Sequence, residues 1–339
     1  MDINGTLHDN STSTNTAIFN TSAKWRLGAN GLFLKTNDSG SSIYRDNYEG
    51  GISTIPATAN WTVRDISITL PSVSGMTYPN LTLENNTGAD ITMGFSGSSG
   101  FPTIKGNFDV GGAGAGNVRF DNLNTNATPC LIQGNLIVKS GSLLDNTDGV
   151  ATDGGGFEVQ GNITANGDIY LASGTGTTKG ILRFTGGNAQ TVSGTGFIDI
   201  NNLTVNKTAN QVTLDNMTEE VWVYNQLTLT NRNIVLNDEF LELISPGTLS
   251  GGSSASYIKT NGTGSFWREV ASSATTFPVG NSTYNPIVLT NTGDADYFYV
   301  RVIDDVFSDG TTGNVYTSDV VDRTWIVNEE MLGGSNVSM

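Results

Sequence analysis

The feature that most constrains this chain is a four-residue word, an amide followed by apolar, any and apolar residues, written six times. The copies are Asn80-Leu-Thr-Leu83, Asn107-Phe-Asp-Val110, Asn135-Leu-Ile-Val138, Asn162-Ile-Thr-Ala165, Asn202-Leu-Thr-Val205 and Gln226-Leu-Thr-Leu229. Their leading amides stand 27, 28, 27, 40 and 24 residues apart. A repeat of this size marks a solenoid. In extended backbone the two apolar side chains of a word share one face and the residue between them takes the other. A strand so short cannot bury its own face, so the coils must stack. Stacking predicts one inner column of Leu81, Phe108, Leu136, Ile163, Leu203 and Leu227, and a second of Leu83, Val110, Val138, Ala165, Val205 and Leu229. The amides Asn80, Asn107, Asn135, Asn162, Asn202 and Gln226 then fall at one corner. Stacked amides there hydrogen-bond along the axis, buried yet satisfied.

An antiparallel sandwich also alternates, but its turns recur roughly every 8 to 12 residues and demand no fixed residue type at a longer period. The expected fold is therefore all-β: a right-handed parallel β-helix over residues 71–264, the regular solenoid. Residues 1–70 read as irregular coils or a cap, with strand candidates at Ile18-Phe19, Trp25-Arg-Leu27 and Leu32-Phe-Leu34. The 40-residue interval contains Gly180-Ile-Leu-Arg-Phe184, a short extra rung or part of an insertion. From 265 the words lengthen and become aromatic, as in Tyr297-Phe-Tyr-Val-Arg-Val-Ile303, which predicts a small, truncated β-sheet or sandwich module over 265–339.

Composition sets limits on function. The net charge of −16 argues against nucleic acid and against anionic membrane, both of which select for Lys and Arg. No apolar stretch approaches the ~20 residues of a membrane-spanning helix. Cys130 is the only cysteine, which leaves no internal disulfide, and it reads as a small buried hydrophobe. Met1-Asp-Ile-Asn-Gly-Thr-Leu7 already reads as a strand, so the chain is expected to be an internal segment that lacks its signal peptide and its C-terminal sorting region.

The phrases Phe277-Pro-Val-Gly280, Tyr284-Asn-Pro-Ile-Val-Leu-Thr-Asn-Thr-Gly293, Arg301-Val-Ile-Asp304, Ser308-Asp-Gly310, Asp322-Arg-Thr-Trp325 and Gly333-Gly-Ser-Asn-Val337, with the Gly-Asn-Leu-Ile-Val and Asn-Asn-Leu-Thr-Val repeats, carry a resemblance. The sequence resembles the β-strand-repeat cell-surface proteins of Bacteroidetes exported by the type IX secretion system. That resemblance implies an extracellular, cell-surface location and an adhesin-like or structural role. The partners it implies are a surface glycan or another cell-surface protein.

His8 is the only histidine, which removes most triads and imidazole metal sites. Carboxylate chemistry survives. Asp145, Asp148 and Asp153 with Glu158, or Asp109 with Arg119, are the candidates for a polysaccharide lyase or glycoside hydrolase. Acidic residues in Gly-Asn turns are more often turn formers. No catalytic residue and no organic cofactor is assigned. Calcium is the one ion for which oxygen ligands are on offer, from Asp145, Asp148 and Asp153, from Asp304, Asp305 and Asp309, or from Asp294 and Asp296. None of these matches an EF-hand or a Gly-Gly-x-Gly-x-Asp repeat. The outward central residues Thr82, Asp109, Ile137, Thr164, Thr204 and Thr228 make too broken a column for ice binding. Trp25, Tyr44, Tyr48, Trp61, Trp222 and Trp267 are candidate sugar-stacking platforms on an adhesin, set against the commoner role of core or cap residues. The reading is a non-enzymatic, rigid stalk or binding scaffold, with a carbohydrate-active β-helix enzyme or a calcium-dependent glycan-binding module as the alternative.

Overall fold

Three strands per coil, each joined to the corresponding strand of the next coil, build the molecule. The computed structural model describes residues 2–9, 26–36, 56–71, 77–96, 102–113, 118–121, 129–145, 155–172 and 179–339. Among these there are strands and turns but no α-helix, and the strands form a parallel β-solenoid. One coil runs through Cys130–Ile132, Leu136–Val138 and Leu143–Asp145 before Gly156–Val159 begins the next. We name the three stacks the second, first and third ladders in that order. The first ladder is a twelve-stranded sheet from Thr6–Asp9 to Val279–Gly280. At about 4.8 Å per rung this is a rod roughly 50 Å long.

The first four words stack in register: Leu81 beside Phe108, Phe108 beside Leu136, Leu136 beside Ile163. The column extends toward the N-terminus through Trp61 and Phe33, both fully buried, so the register reaches back into residues 1–70. Ile18-Phe19 and Trp25 lie outside the described residues.

The fifth and sixth words sit elsewhere. Ile163 is followed in its column by Val192, not Leu203. Leu203 pairs with Leu182 and Leu227 in the second ladder, and Val205 with Phe184 and Leu229. The single predicted pile is therefore two, and the 40-residue interval measures a change of ladder. Gly180-Ile-Leu-Arg-Phe184 is a regular rung, with strand Ile181–Phe184 lying between Gly156–Val159 and the Leu203 strand. The physical reason is a lost turn. Ile198–Asn206 and Val221–Asn231 run without interruption from the third ladder into the second, and the amide word reappears on the second ladder just after that corner.

The amide corner works differently from a side-chain ladder. Asn80 Oδ1 accepts from Asn107 N at 2.8 Å, Asn107 Oδ1 from Asn135 N at 3.0 Å, and Asn135 Oδ1 from Asn162 N at 2.8 Å. Asn162 Oδ1 closes the series on Thr191 N at 2.9 Å, 29 residues on. Each amide thus satisfies the backbone of the following coil where the chain turns. The corner is half-buried, with Asn162 exposed, so the expectation of full burial does not hold. The second ladder has a counterpart, in which Asn225 Nδ2 donates to the buried Asn202 at Oδ1, 2.7 Å away. Gln226 takes no part in either series of contacts; its Oε1 accepts from Thr228 Oγ1 at 3.3 Å.

The glycine before Asn107, Asn135 and Asn162 has a packing cause. Gly161 N donates to Gly134 O, and Gly134 N to Gly106 O, both at 3.0 Å. A Cβ at Gly134 would lie 2.4 Å from Gly106 O.

At the far end the direction reverses. Phe266–Val270 pairs parallel with Leu241–Leu243 on one side and antiparallel with Asp296–Ile303 on the other, and Thr324–Glu329 adds a further antiparallel strand. A three-stranded sheet of Thr275–Phe277, Ile287–Asn291 and Val337–Ser338 completes this small β module. Phe266 and Phe277 meet edge to face at 5.9 Å beneath it. Cys130 is buried as expected, with its thiol against Pro102 O at 3.5 Å.

Two substitutions test this frame by urea unfolding. Gly134→Ala is expected to destabilise by about 2 kcal/mol or more, because the clash is with backbone that cannot step aside. Asn135→Ala removes one acceptor at a half-buried turn and is expected to cost about 1 kcal/mol.

Candidate functional site

The third ladder carries an outward column unlike the others. Its strands read apolar, X, apolar: Ile169-Tyr-Leu171, Ile198-Asp-Ile200, Val221-Trp-Val223 and Leu241-Glu-Leu243, with every flanking residue in the core. Alternation therefore turns each X outward. Register sets Tyr170 beside Asp199, Asp199 beside Trp222, Trp222 beside Glu242 and Glu242 beside Trp267. Across the antiparallel junction Trp267 meets Tyr299. Aromatic and acidic side chains thus alternate rung by rung over five strands before the two rings stack at 4.6 Å with planes 23° apart. Phe240 lies edge-on to Trp267 at 5.7 Å, and Phe197 flanks Trp222 at 6.5 Å. Phe197 is 45% exposed and Tyr170 39%, so the strip keeps apolar surface in solvent.

The acids in this column are half-buried and face other acids. Burial, helped by Asp168, pushes Asp199 up to about 6, while the Tyr224 hydroxyl works the other way. Burial, with Glu330 and Glu220 adding, pushes Glu242 up to about 7. Burial and the charges of Asp199, Tyr170 and Glu242 carry the Tyr224 phenol to about 12. Asp199 Oδ1 and Trp222 Nε1, on adjacent rungs, are buried atoms without a hydrogen-bond partner among the described residues. Such pairs are uncommon in a folded interior. Arg268, next to Trp267, is turned from the column; it donates to Thr276 O at 2.6 Å and lies 6.0 Å from the Phe277 ring centre.

The residues singled out from sequence scatter. Trp61 is a core residue, fully buried and 4.4 Å from Phe33, so it is no sugar platform. Trp222 and Trp267 are on the strip. Trp25, Tyr44 and Tyr48 lie outside the described residues, as do Asp148 and Asp153. Asp145 is buried and aligned with Tyr170 at the start of the strip. Glu158 is in the second ladder, bonded to Thr185 Oγ1 at 2.9 Å and paired with Arg183 at 3.4 Å. Asp109 and Arg119 occupy different ladders, and Arg119 aligns with Asp145. The structure does not make adjoining partners of them. Burial raises the Asp109 pKa, opposed by Lys139.

Asp304 accepts from Ser282 N at 3.1 Å and pairs with Arg323 at 3.3 Å. Asp305 O accepts from Thr324 Oγ1 at 2.7 Å, and Asp309 is exposed in a tight turn. Asp296 accepts from Met331 N at 3.0 Å. No three His, Cys, Asp or Glu side chains come together as a metal site among the described residues. Lys207, fully buried, donates to Gln190 Oε1 and Thr185 O; burial lowers it to about 8, and it acts as an internal tie between coils.

Tyr170, Asp199, Glu242 and Tyr299 were missed in the sequence. Their signal is the repeated apolar-X-apolar word of the third ladder, and it becomes visible only once coil lengths are known. Comparison of the chain with protein-family models, with curated proteins and with solved structures finds no match.

A raised carboxylate pKa fixes the sign of a stability effect. Glu242 in the folded chain holds its proton to higher pH than in the unfolded chain, so its penalty is absent below about pH 4 and grows through about pH 7. Glu242→Gln is therefore expected to stabilise by about 1 kcal/mol at pH 8, discounted for partial exposure, and to change little at pH 4. Urea midpoints of both proteins at the two pH values check this.

Proposed function

We propose that this chain is a non-enzymatic, rigid scaffold of an exported cell-surface protein, adhesin-like, whose third ladder presents a glycan-binding strip. The observation that carries the reading is the aligned series Tyr170, Asp199, Trp222, Glu242, Trp267 and Tyr299. Aromatic rings supply large, stiff contact area at little entropic cost, and interleaved polar groups fix orientation. Continuous ladders hold such groups at constant spacing, which suits a ligand that is itself a repeat. The export route and the Bacteroidetes lineage rest on the resemblance of residues 277–337 and of the Gly-Asn words.

An enzyme is the weaker reading on geometric grounds. Asp199 and Glu242, the two carboxylates poised to titrate near neutrality, are separated by the Trp222 rung. Two rungs span about 10 Å of backbone, twice the roughly 5 Å of a retaining glycosidase and past the upper end of the roughly 6.5–9.5 Å of an inverting one.

Native gels cast with soluble polysaccharides test the proposal. Retardation is expected in at least one gel and is expected to fall in Trp222→Ala and Trp267→Ala, with no new reducing ends released during long incubation. Turnover abolished by Asp199→Asn or Glu242→Gln would replace the scaffold by an enzyme.

A further inference from the structure

Resting on that glycan-binding reading, we infer that the strip takes an uncharged, extended β-1,4-linked polysaccharide lying parallel to the solenoid axis, in step with the rungs. Tyr170, Trp222 and Trp267 occupy every second rung. At the spacing of parallel strands their repeat is about 10 Å. One disaccharide of an extended β-1,4-linked pyranose chain has about this length, so successive rings meet the same face of alternate sugars. An α-1,4-linked chain coils and falls out of step after one contact.

The intervening rungs fit hydroxyl groups. Asp199 and Glu242 alternate with the rings, and their carboxyl oxygens accept hydrogen bonds from sugar hydroxyls. A hydroxyl both gives and accepts a hydrogen bond. It is therefore matched to carboxyl groups set between rings.

Charge excludes the common alternative. No lysine or arginine occupies the column from Tyr170 to Tyr299, and Asp168, Glu220 and Glu330 act on it from alongside. A uronic-acid or sulfated polymer would meet like charge along its whole length.

Isothermal titration with four hexamers tests this: cellohexaose, maltohexaose, hexagalacturonate and the glucosamine hexamer. The expected result is binding of cellohexaose, weakened roughly tenfold in Trp222→Ala and in Trp267→Ala and kept in Trp222→Phe, with no measurable binding of maltohexaose or hexagalacturonate. Circular dichroism verifies each variant, and Tyr170→Ala, at the exposed rim, serves if a Trp variant does not fold. Cellohexaose binding that ignores all three alanine substitutions overturns the inference. Tighter binding of maltohexaose, hexagalacturonate or the glucosamine hexamer, still lost in Trp222→Ala, overturns the proposed ligand class and leaves the strip a glycan site. Failure of every hexamer, together with no retardation in the polysaccharide gels, overturns both readings.

Discussion

Everything in this molecule depends on the hydrogen bond from one coil to the same phase of the next. A parallel pair fixes register without a hairpin, so coil length is free to vary while phase is kept. The corner amides are the device that keeps it. From Asn80 to Asn162 each side-chain oxygen takes the backbone N–H of the following coil at the turn, where a ladder would otherwise lose a bond. Glycine before Asn107, Asn135 and Asn162 lets those turns approach closely. Once phase is fixed, the apolar side chains have only one place to go, and Phe33, Trp61, Leu81, Phe108, Leu136 and Ile163 become a continuous core.

The same phase-locking makes the surface. A residue that turns outward in one coil is matched by its counterpart about 4.8 Å away in the next, so any outward preference is written as a line. On the first ladder that line is mixed: Thr82, Asp109, Ile137 and Thr164. On the third it is ordered, with Tyr170, Asp199, Trp222, Glu242 and Trp267 alternating in character. The raised pKa of Asp199 and of Glu242 comes from the same closeness, since burial between neighbours and the approach of Asp168, Glu220 and Glu330 all disfavour charge.

The solenoid was legible in the amide words because Leu81, Phe108, Leu136 and Ile163 recur at nearly constant intervals. It was less legible at Leu203 and Leu227, where a corner had collapsed into an unbroken strand and the same word served a second ladder. A word of three or four residues states its period but not its ladder. The strip was legible only in part. Trp222 and Trp267 stood out as aromatic residues, but their alignment with Asp199 and Glu242 depends on coil lengths that differ from rung to rung. Nor does composition tell that Trp61 faces inward: its place follows from its register with Phe33 and Leu81.

The reversal at Phe266–Val270 has a consequence for assembly. A stack of parallel coils is a template, and its last strand invites another chain to continue it in the same sense. Asp296–Ile303 covers that strand in the opposite sense, and Thr324–Glu329, antiparallel to Asp296–Ile303, runs once more in the sense of the coils. On that ladder a second copy would thus meet the β module, and not a bare coil.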